Sequence, residues 1–269
     1  MSNKIKLSQL INNRNFDIFY KSFKHDKLAG NDIFDIYRNL NPSYSDNGED
    51  RVLEYIFSII GSKNNYFIEF GARDGISGSN TYYFEKYLNW KGLLIDFNEE
   101  FIKNNKRSIK INKEFITSKN INTIFEKYNV PETIDLLSID IDSNDYYVWE
   151  SLKYKPRVVI IETNPGIPND YPLVIQEDKY ADVNDSRFQA YFGANLHAMY
   201  LLAIKKGYEL VTTIKWNAIF ILKEEFHLLN MNHISKEECI TNYFKPNKWW
   251  FNKVLNEINN KDSEWLIVN

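Results

Sequence analysis

Acidic side chains recur at the ends of short apolar runs in this chain, and that placement is the first sign of chemistry. Tyr66-Phe67-Ile68-Glu69-Phe70 runs into the turn Gly71-Ala72-Arg73-Asp74-Gly75. Gly92-Leu93-Leu94-Ile95 ends in Asp96, about 20 residues past that turn, where an acidic group reaches a ribose in doubly wound nucleotide-binding folds. Leu136 to Ile139 leads into Asp140-Ile141-Asp142, with Asp145 just beyond, and Val158 to Ile161 leads into Glu162-Thr163-Asn164. The glycines of the first turn let the backbone bend tightly and approach a ligand. Their Glu-x-Gly-x-x-x-Gly spacing lacks the Gly-x-Gly-x-x-Gly in which a middle glycine clears room for a pyrophosphate. It suits an adenosine-bearing ligand whose far end is cationic. Glu69 would face that cationic part, Asp96 the ribose hydroxyls and Phe97 the adenine. Ser77-Gly78-Ser79-Asn80-Thr81 opens a helix, and its hydroxyls, amides and N–H groups suit a carboxylate. Plainer roles stand beside these: helix capping for Asp96 and for 77–81, and a loop aromatic for Phe97.

The second group of acids is denser. On a strand, Asp140 and Asp142 would point to the same side. If the runs before Asp140 and Glu162 are parallel neighbours, Asp140, Asp142, Glu162 and Asn164 converge. Such hard oxygen donors select Mg²⁺, Mn²⁺ or Ca²⁺, and a bound dication lowers the pKa of a coordinated hydroxyl. Without one, the carboxylates would repel and raise one another's pKa. Asp140, Asp142 or His197 would then accept a hydroxyl proton as general base. His197 falls on a predicted helix after Gly193-Ala194-Asn195-Leu196, whereas His25, His227 and His233 lack such context. Tyr171, Tyr180, Arg187 and Tyr191 lie in or beside segment 165–192, which is too long for an ordinary connection. Aromatics stack on sugar faces and Arg grips phosphate, so this segment reads as a substrate lid or as a solvated loop with packing tyrosines.

The elements needed to position these groups follow from pattern. Helices are predicted over Glu49–Ile60, Thr81–Tyr87, Glu99–Asn105, Ile121–Tyr128, Ser143–Tyr154 and Asn195–Lys206, interleaved with the apolar runs and a weak strand at Phe115-Ile116-Thr117. Alternation of this kind predicts a mostly parallel α/β sheet covered on both faces. Tyr208–Val211 and Asn217–Leu222 are too close for a crossover and predict a closing antiparallel hairpin. The expected organisation is a helical extension at 1–43, a nucleotide-binding domain at 44–222 holding the inserted segment 165–192, and a helical tail at 223–269. Tail aromatics Trp249, Trp250 and Phe251 suggest packing on the core or a homo-oligomer contact.

A net charge of −3 gives no basic footprint for nucleic acid. The single Cys239 excludes an intramolecular disulfide and suits a reducing compartment. Met1 to Tyr20 shows no apolar signal core, and no stretch approaches the roughly 20 apolar residues of a membrane span. A cytoplasmic location is the expectation.

Ser45-Asp46-Asn47-Gly48-Glu49-Asp50, Phe67 to Gly75, Ser79-Asn80-Thr81, Trp90-Lys91-Gly92-Leu93-Leu94-Ile95-Asp96 and Leu137 to Asp145 together resemble the FkbM-type methyltransferases, over roughly residues 44–222. The resemblance implies a Rossmann-like class I methyltransferase fold with a seven-stranded sheet. It also implies S-adenosylmethionine as methyl donor and usually O-methylation, often of sugars or sugar-bearing products. Donor-lining residues are then expected at Glu69, Gly71, Arg73, Asp74, Gly75, Asn80, Thr81, Asp96, Phe97, Ile116 and Asp140. A catechol-type metal site for Mg²⁺ or Mn²⁺ is expected at Asp140, Asp142, Glu162 and Asn164. The working expectation is a sugar O-methyltransferase acting on a nucleotide-linked sugar or polysaccharide precursor. The alternatives are a nicotinamide-dependent oxidoreductase, against which the missing Gly-x-Gly-x-x-Gly speaks, and a non-catalytic binding protein. The chain departs from the family at Asp96, where many members carry Glu, and at Asp140-Ile141-Asp142-Ser143, where many carry Asp-Val-Glu-Gly.

Overall fold

The computed structural model describes residues 4–6, 8–9, 32–165, 167, 169–177, 192–242 and 264–269. In chain order the elements are β1 (Lys4–Lys6), α1 (Asp32–Tyr37), α2 (Glu49–Ile60), β2 (Tyr66–Phe70), α3 (Tyr82–Leu88), β3 (Lys91–Asp96), α4 (Glu99–Lys103), β4 (Ile111–Lys113), α5 (Ile121–Lys127) and β5 (Leu136–Ile139). They continue with α6 (Asp145–Ser151), β6 (Val158–Glu162), β7 (Leu173–Val174), α7 (Leu196–Lys206), β8 (Tyr208–Ile214), β9 (Asn217–Leu222), α8 (Lys223–Phe226), α9 (Lys236–Asn242) and β10 (Glu264–Ile267).

Seven strands form one sheet in the order β4-β3-β2-β5-β6-β9-β8. β2 to β6 run parallel, and β9 enters antiparallel between β6 and β8. The chain winds outward from β2 to β4, then crosses to the other side of β2 to lay down β5 and β6. At such a crossing, outside the carboxyl ends of β2 and β5, open α/β sheets take their ligands in a crevice.

The apolar runs make strands because both sheet faces are covered. Alternate residues go to opposite faces. Phe67, Leu94, Leu136 and Ile160 pack with Val52, Leu53 and Ile56 of α2. Ile68, Ile95, Leu137 and Ile161 pack with Phe125 of α5, Trp149 of α6 and Met199 of α7. The predicted third strand is displaced: β4 lies at Ile111–Lys113, and Phe115 is 51% exposed beyond its end.

The ends of the chain, expected to be helical, contribute strands. β10 pairs on one side with β1 and on the other with β7 in a small antiparallel sheet. Trp265 of β10 is fully buried. Burying an apolar Trp-Leu-Ile run against two partners outweighs the weak local preference of so short a segment. Trp249, Trp250 and Phe251 lie outside the described residues. No helix among the described residues is long and apolar enough to cross a membrane.

At the edge of the sheet opposite the crevice, Arg157 ties three elements together. Its guanidinium donates to Asp135 (2.7 Å), to both oxygens of Glu225 (2.7–3.0 Å) and to the Gly61 carbonyl that ends α2 (2.6 Å). Burial pushes the Asp135 and Glu225 carboxyls up, but Arg157 and the other donors outweigh it and hold both below their ordinary values. The stability from this pairing is therefore present above about pH 4 and lost as pH falls through the lowered values. Arg157→Met is expected to cost about 3–5 kcal/mol at neutral pH, because two buried carboxylates lose their cation. Denaturant melts of both proteins across pH should show that gap shrinking below about pH 4; a gap independent of pH would refute the pairing.

Candidate functional site

The crevice is built around Glu69, the penultimate residue of β2. Its carboxylate is buried and accepts from Ser79 Oγ (2.8 Å), the Asn80 N–H (2.8 Å), Thr81 Oγ1 (2.7 Å) and Arg107 Nη1 (3.1 Å). The hydroxyls that the sequence offers to a ligand carboxylate thus turn inward onto Glu69, and Asn80 Nδ2 donates to Ser138 (3.0 Å). Arg107 went unnoticed in the sequence. It follows α4 in a loop, yet its side chain is fully buried, and it also pairs with Glu85 and donates to Gly75 O, Ser79 Oγ and Thr81 Oγ1. Nothing local marks it; only the tertiary contact makes it central.

The two glycines of the turn serve protein atoms. At Gly71 (φ +70°) a Cβ would stand 1.9 Å from the Asp140 carbonyl oxygen, and at Gly75 (φ +82°) 2.8 Å from Arg107 Cδ. The expectation that they clear room for a ligand is corrected here: they let β2's turn close on β5's turn and on the Arg107 stem. Asp74 organises the loop, accepting from the Ile76 and Ser77 N–H groups and from Lys106 Nζ (2.9 Å). Burial acts against these bonds, which nonetheless hold its carboxyl far below the ordinary range.

Asp96 ends β3 and is buried. It accepts from the Arg73 N–H (2.8 Å) and the Asn98 N–H (2.8 Å), so it joins the two strand-end turns. The cap of α4 is Asn98, whose side chain accepts from the Glu100 N–H. Phe97 is 57% exposed and meets Phe115 edge-on, ring centroids 5.9 Å apart. Ile116 beside them is buried in the core. An exposed aromatic pair at two adjacent strand ends is an open platform for a planar ring.

On the other side of the crevice the acids gather. β5 stops at Ile139, so Asp140 and Asp142 belong to a turn and strand alternation does not align them. Asp142 is left-handed at φ +62°, and Asp145 at the start of α6 accepts from the Ile141 N–H (2.9 Å) and the Ser143 N–H (3.1 Å). The turn nevertheless brings them together: one oxygen each of Asp140, Asp142 and Glu162 lie within 4.8 Å of one another. Asp140 and Asp142 are exposed, and Glu162 is half-buried. Glu162 Oε2 is buried and has no hydrogen-bond partner among the described residues.

Burial, followed by the neighbouring carboxylates, pushes Asp140 and Glu162 well above the ordinary range. Burial also raises Asp142, against the pull of Arg73, and brings Asp145 to about 6. These groups fit a hard cation: converging oxygens, with one carboxylate oxygen of Glu162 lacking a partner among the described residues. Asn164 is fully buried, and its amide donates to the Phe192 carbonyl (3.0 Å).

His197 stands on another element. It is buried near the start of α7, its Nδ1 bonded to the Asn169 carbonyl (2.7 Å) and its Nε2 without a partner. Burial, helped by the charge of Lys236, depresses its pKa against the pull of the Asn169 carbonyl. Tyr171 is 47% exposed on the segment after β6. Tyr180, Arg187 and Tyr191 lie outside the described residues.

Strand order and the closing antiparallel hairpin decide the architecture. The chain has a Rossmann-like, doubly wound α/β fold whose seven-stranded sheet ends in an antiparallel hairpin. No family model matches the chain, and no curated protein matches it. Among solved structures it is similar to a SAM-dependent methyltransferase from Archaeoglobus fulgidus, with 13% identity, 94% of this chain and 98% of that chain covered, and a TM-score of 0.37. It is also similar to a SAM-dependent methyltransferase from Aquifex aeolicus (14% identity, 62% and 87% covered, TM-score 0.31). A third is the plantazolicin methyltransferase BpumL with a triazolic desmethylPZN analog and SAH (15% identity, 82% and 83% covered, TM-score 0.37). At such identities and scores the chemistry has to be argued from this chain's own residues.

The contact between the turns after β2 and β5 can be tested directly. Gly71→Ala adds a left-handed penalty and an overlap with backbone, together about 2–5 kcal/mol, or roughly 5–15 °C in Tm. A melting temperature within 2 °C of wild type, measured by calorimetry, would show that the two turns do not meet.

Proposed function

We propose that the chain is an S-adenosylmethionine-dependent O-methyltransferase. The observation that carries this reading is the layout of one crevice. A ribose-range carboxylate at Asp96 and an open aromatic pair lie on one side, and three converging carboxylates lie on the other. Bound there, S-adenosylmethionine would supply an electrophilic methyl group on its sulfonium. Phe97 and Phe115 would face the adenine. Glu69 acts as a positioning residue, holding the 75–81 loop from inside.

Asp140, Asp142 and Glu162 would hold a divalent cation, Mg²⁺ or Mn²⁺, and such an ion would make an adjacent hydroxyl more acidic. The residues then orient that hydroxyl toward the methyl and relieve their own repulsion. A metal-free variant is favoured by the raised pKa values: Asp140 or Asp142 itself takes the hydroxyl proton.

For the acceptor, we favour a sugar hydroxyl on a nucleotide-linked or polysaccharide precursor, in the cytoplasm. Tyr171 offers an exposed aromatic face on the segment after β6. A phosphate-bearing acceptor would be repelled by the bare acid cluster, so this choice of acceptor and the cation support each other.

Two measurements test the reading. Calorimetry should show binding of S-adenosylhomocysteine and none of NADH; the reverse would replace methyl transfer with hydride transfer. With a sugar-nucleotide panel and labelled donor, Asp140→Asn should lower kcat by about 10²-fold or more while S-adenosylhomocysteine affinity changes little. Full activity after EDTA would remove the cation and leave the carboxylate-base variant.

The cation also has a signature in stability. Carboxyls raised in the folded state contribute stability that is fully present below about pH 4 and lost as pH rises through the raised values, about 6 for Asp145. The protein without cation should therefore lose stability between about pH 4 and 7. Millimolar Mn²⁺ should raise Tm more at pH 8 than at pH 5. An equal rise at both would count against binding at this cluster.

A further inference from the structure

The acids on the β2 side of the crevice have their donors inside the protein. On the acid side three buried oxygens do not. Glu162 Oε2, Asn217 Oδ1 and Asn144 Oδ1 are buried and have no hydrogen-bond partner among the described residues. All three are acceptors.

Asn217 opens β9 and stands directly opposite Glu162 of β6 in the antiparallel register. Residues paired in this way share one face of the sheet, with Cβ atoms about 5 Å apart. Glu49, at the start of α2, fixes which way the Asn217 amide turns. A carboxylate accepts hydrogen bonds and gives none. The buried Glu49 carboxylate takes Asn217 Nδ2 (3.0 Å), along with the N–H and the side-chain amide of Asn47 (2.8 and 3.1 Å). Asn217 is therefore left to offer its carbonyl oxygen, in the position next to Glu162. Asn144 is 5% exposed and stands at the cap position of α6 without capping it, in the turn that carries Asp142.

Aromatic residues flank the same strand end. Trp216 precedes Asn217, and its carbonyl accepts from the Thr163 N–H (2.6 Å) and from Thr163 Oγ1 (2.9 Å). Its ring lies 6.3 Å from that of Phe192, whose carbonyl accepts from Asn164 Nδ2 (3.0 Å). The two residues after Glu162 thus hold both aromatic residues by their carbonyls. Bare buried acceptors cost free energy until a donor reaches them. A hydroxyl brings one hydrogen, whereas an ammonium brings three and accepts nothing. Charge favours the same choice. When ionised, Asp140, Asp142 and Glu162 carry three negative charges; a dication answers two of them, and an ammonium answers the third.

We propose that Glu162 and Asn217 bind a protonated amine on the methyl acceptor, so that the acceptor is an amino sugar whose ring packs against Trp216 and Phe192. This rests on the methyl-transfer reading above and narrows its acceptor. Asn217 is a specificity-determining residue in this arrangement, and Glu49 sets its orientation.

The experiment is NMR titration of the full chain in Mg²⁺, at about pH 6.5, where such amines keep their proton. The ligands are matched pairs: glucosamine with glucose, galactosamine with galactose, and mannosamine with mannose. At least one amine should bind about tenfold or more tighter than its hydroxyl counterpart. Asn217→Leu should bring that pair to within about twofold of each other. Leu also takes a donor from buried Glu49, so the titration is repeated with Asn217→Leu combined with Glu49→Gln, in which no buried charge is left short. Equal affinities within every pair would overturn the inference, and so would an amine preference that survives in both variants. The wild-type pairs decide the matter if neither variant folds. Calorimetry with S-adenosylhomocysteine on the same protein separates the two readings. Donor binding without an amine preference removes the amino-sugar acceptor alone, and an amine preference without donor binding removes methyl transfer and leaves an amine site.

Discussion

A buried carboxylate is expensive unless donors surround it, and Glu69 shows what that requirement does to a fold. Four donors converge on it, three from residues 79–81 and one from Arg107. Satisfying Glu69 pulls the loop before α3 against the end of β2 and draws Arg107 into the interior. Gly75 is a glycine because the methylene stem of Arg107 passes where a Cβ would stand. The shape of the crevice on this side follows from one desolvated charge.

The acids on the two sides of the crevice are in opposite states. Glu69, Asp74 and Asp96 each accept two or more hydrogen bonds from nearby donors and act as scaffolding. Asp140, Asp142 and Glu162 converge without such donors among the described residues and carry raised pKa values. Like charges held close without compensation store free energy that a cation or a proton can release. That contrast separates the residues that hold the site from those with chemistry still available, although all six look alike as letters.

The segment after β6 is held by the far ends of the chain. The Asn164 N–H donates to the Ala194 carbonyl, Ala194 bridges Val174 of β7, and Val174 pairs with Leu266 of β10. Asn195 adds bonds to Leu173 and Tyr171. The wall nearest Glu162 therefore depends on strands drawn from both termini, which gives a structural reason for a chain longer than its seven-stranded sheet.

Periodicity and turn chemistry alone determined most of the sheet. Apolar runs of four to six residues bounded by glycine or acid have few options in water, and β2, β3, β5, β6 and β9 stand within a residue or two of where pattern puts them, except at the carboxyl end of β5. The acid-bearing rim was legible for the same reason, since acids close the apolar runs. What the tertiary structure decided was the partner of each acid. The donors to Glu69 come from up to 38 residues away in the chain, and the strand-like spacing of Asp140 and Asp142 concealed a turn. Local sequence carries backbone preference; it does not carry which distant donor reaches a buried charge, and that pairing assigns each carboxylate to structure or to chemistry.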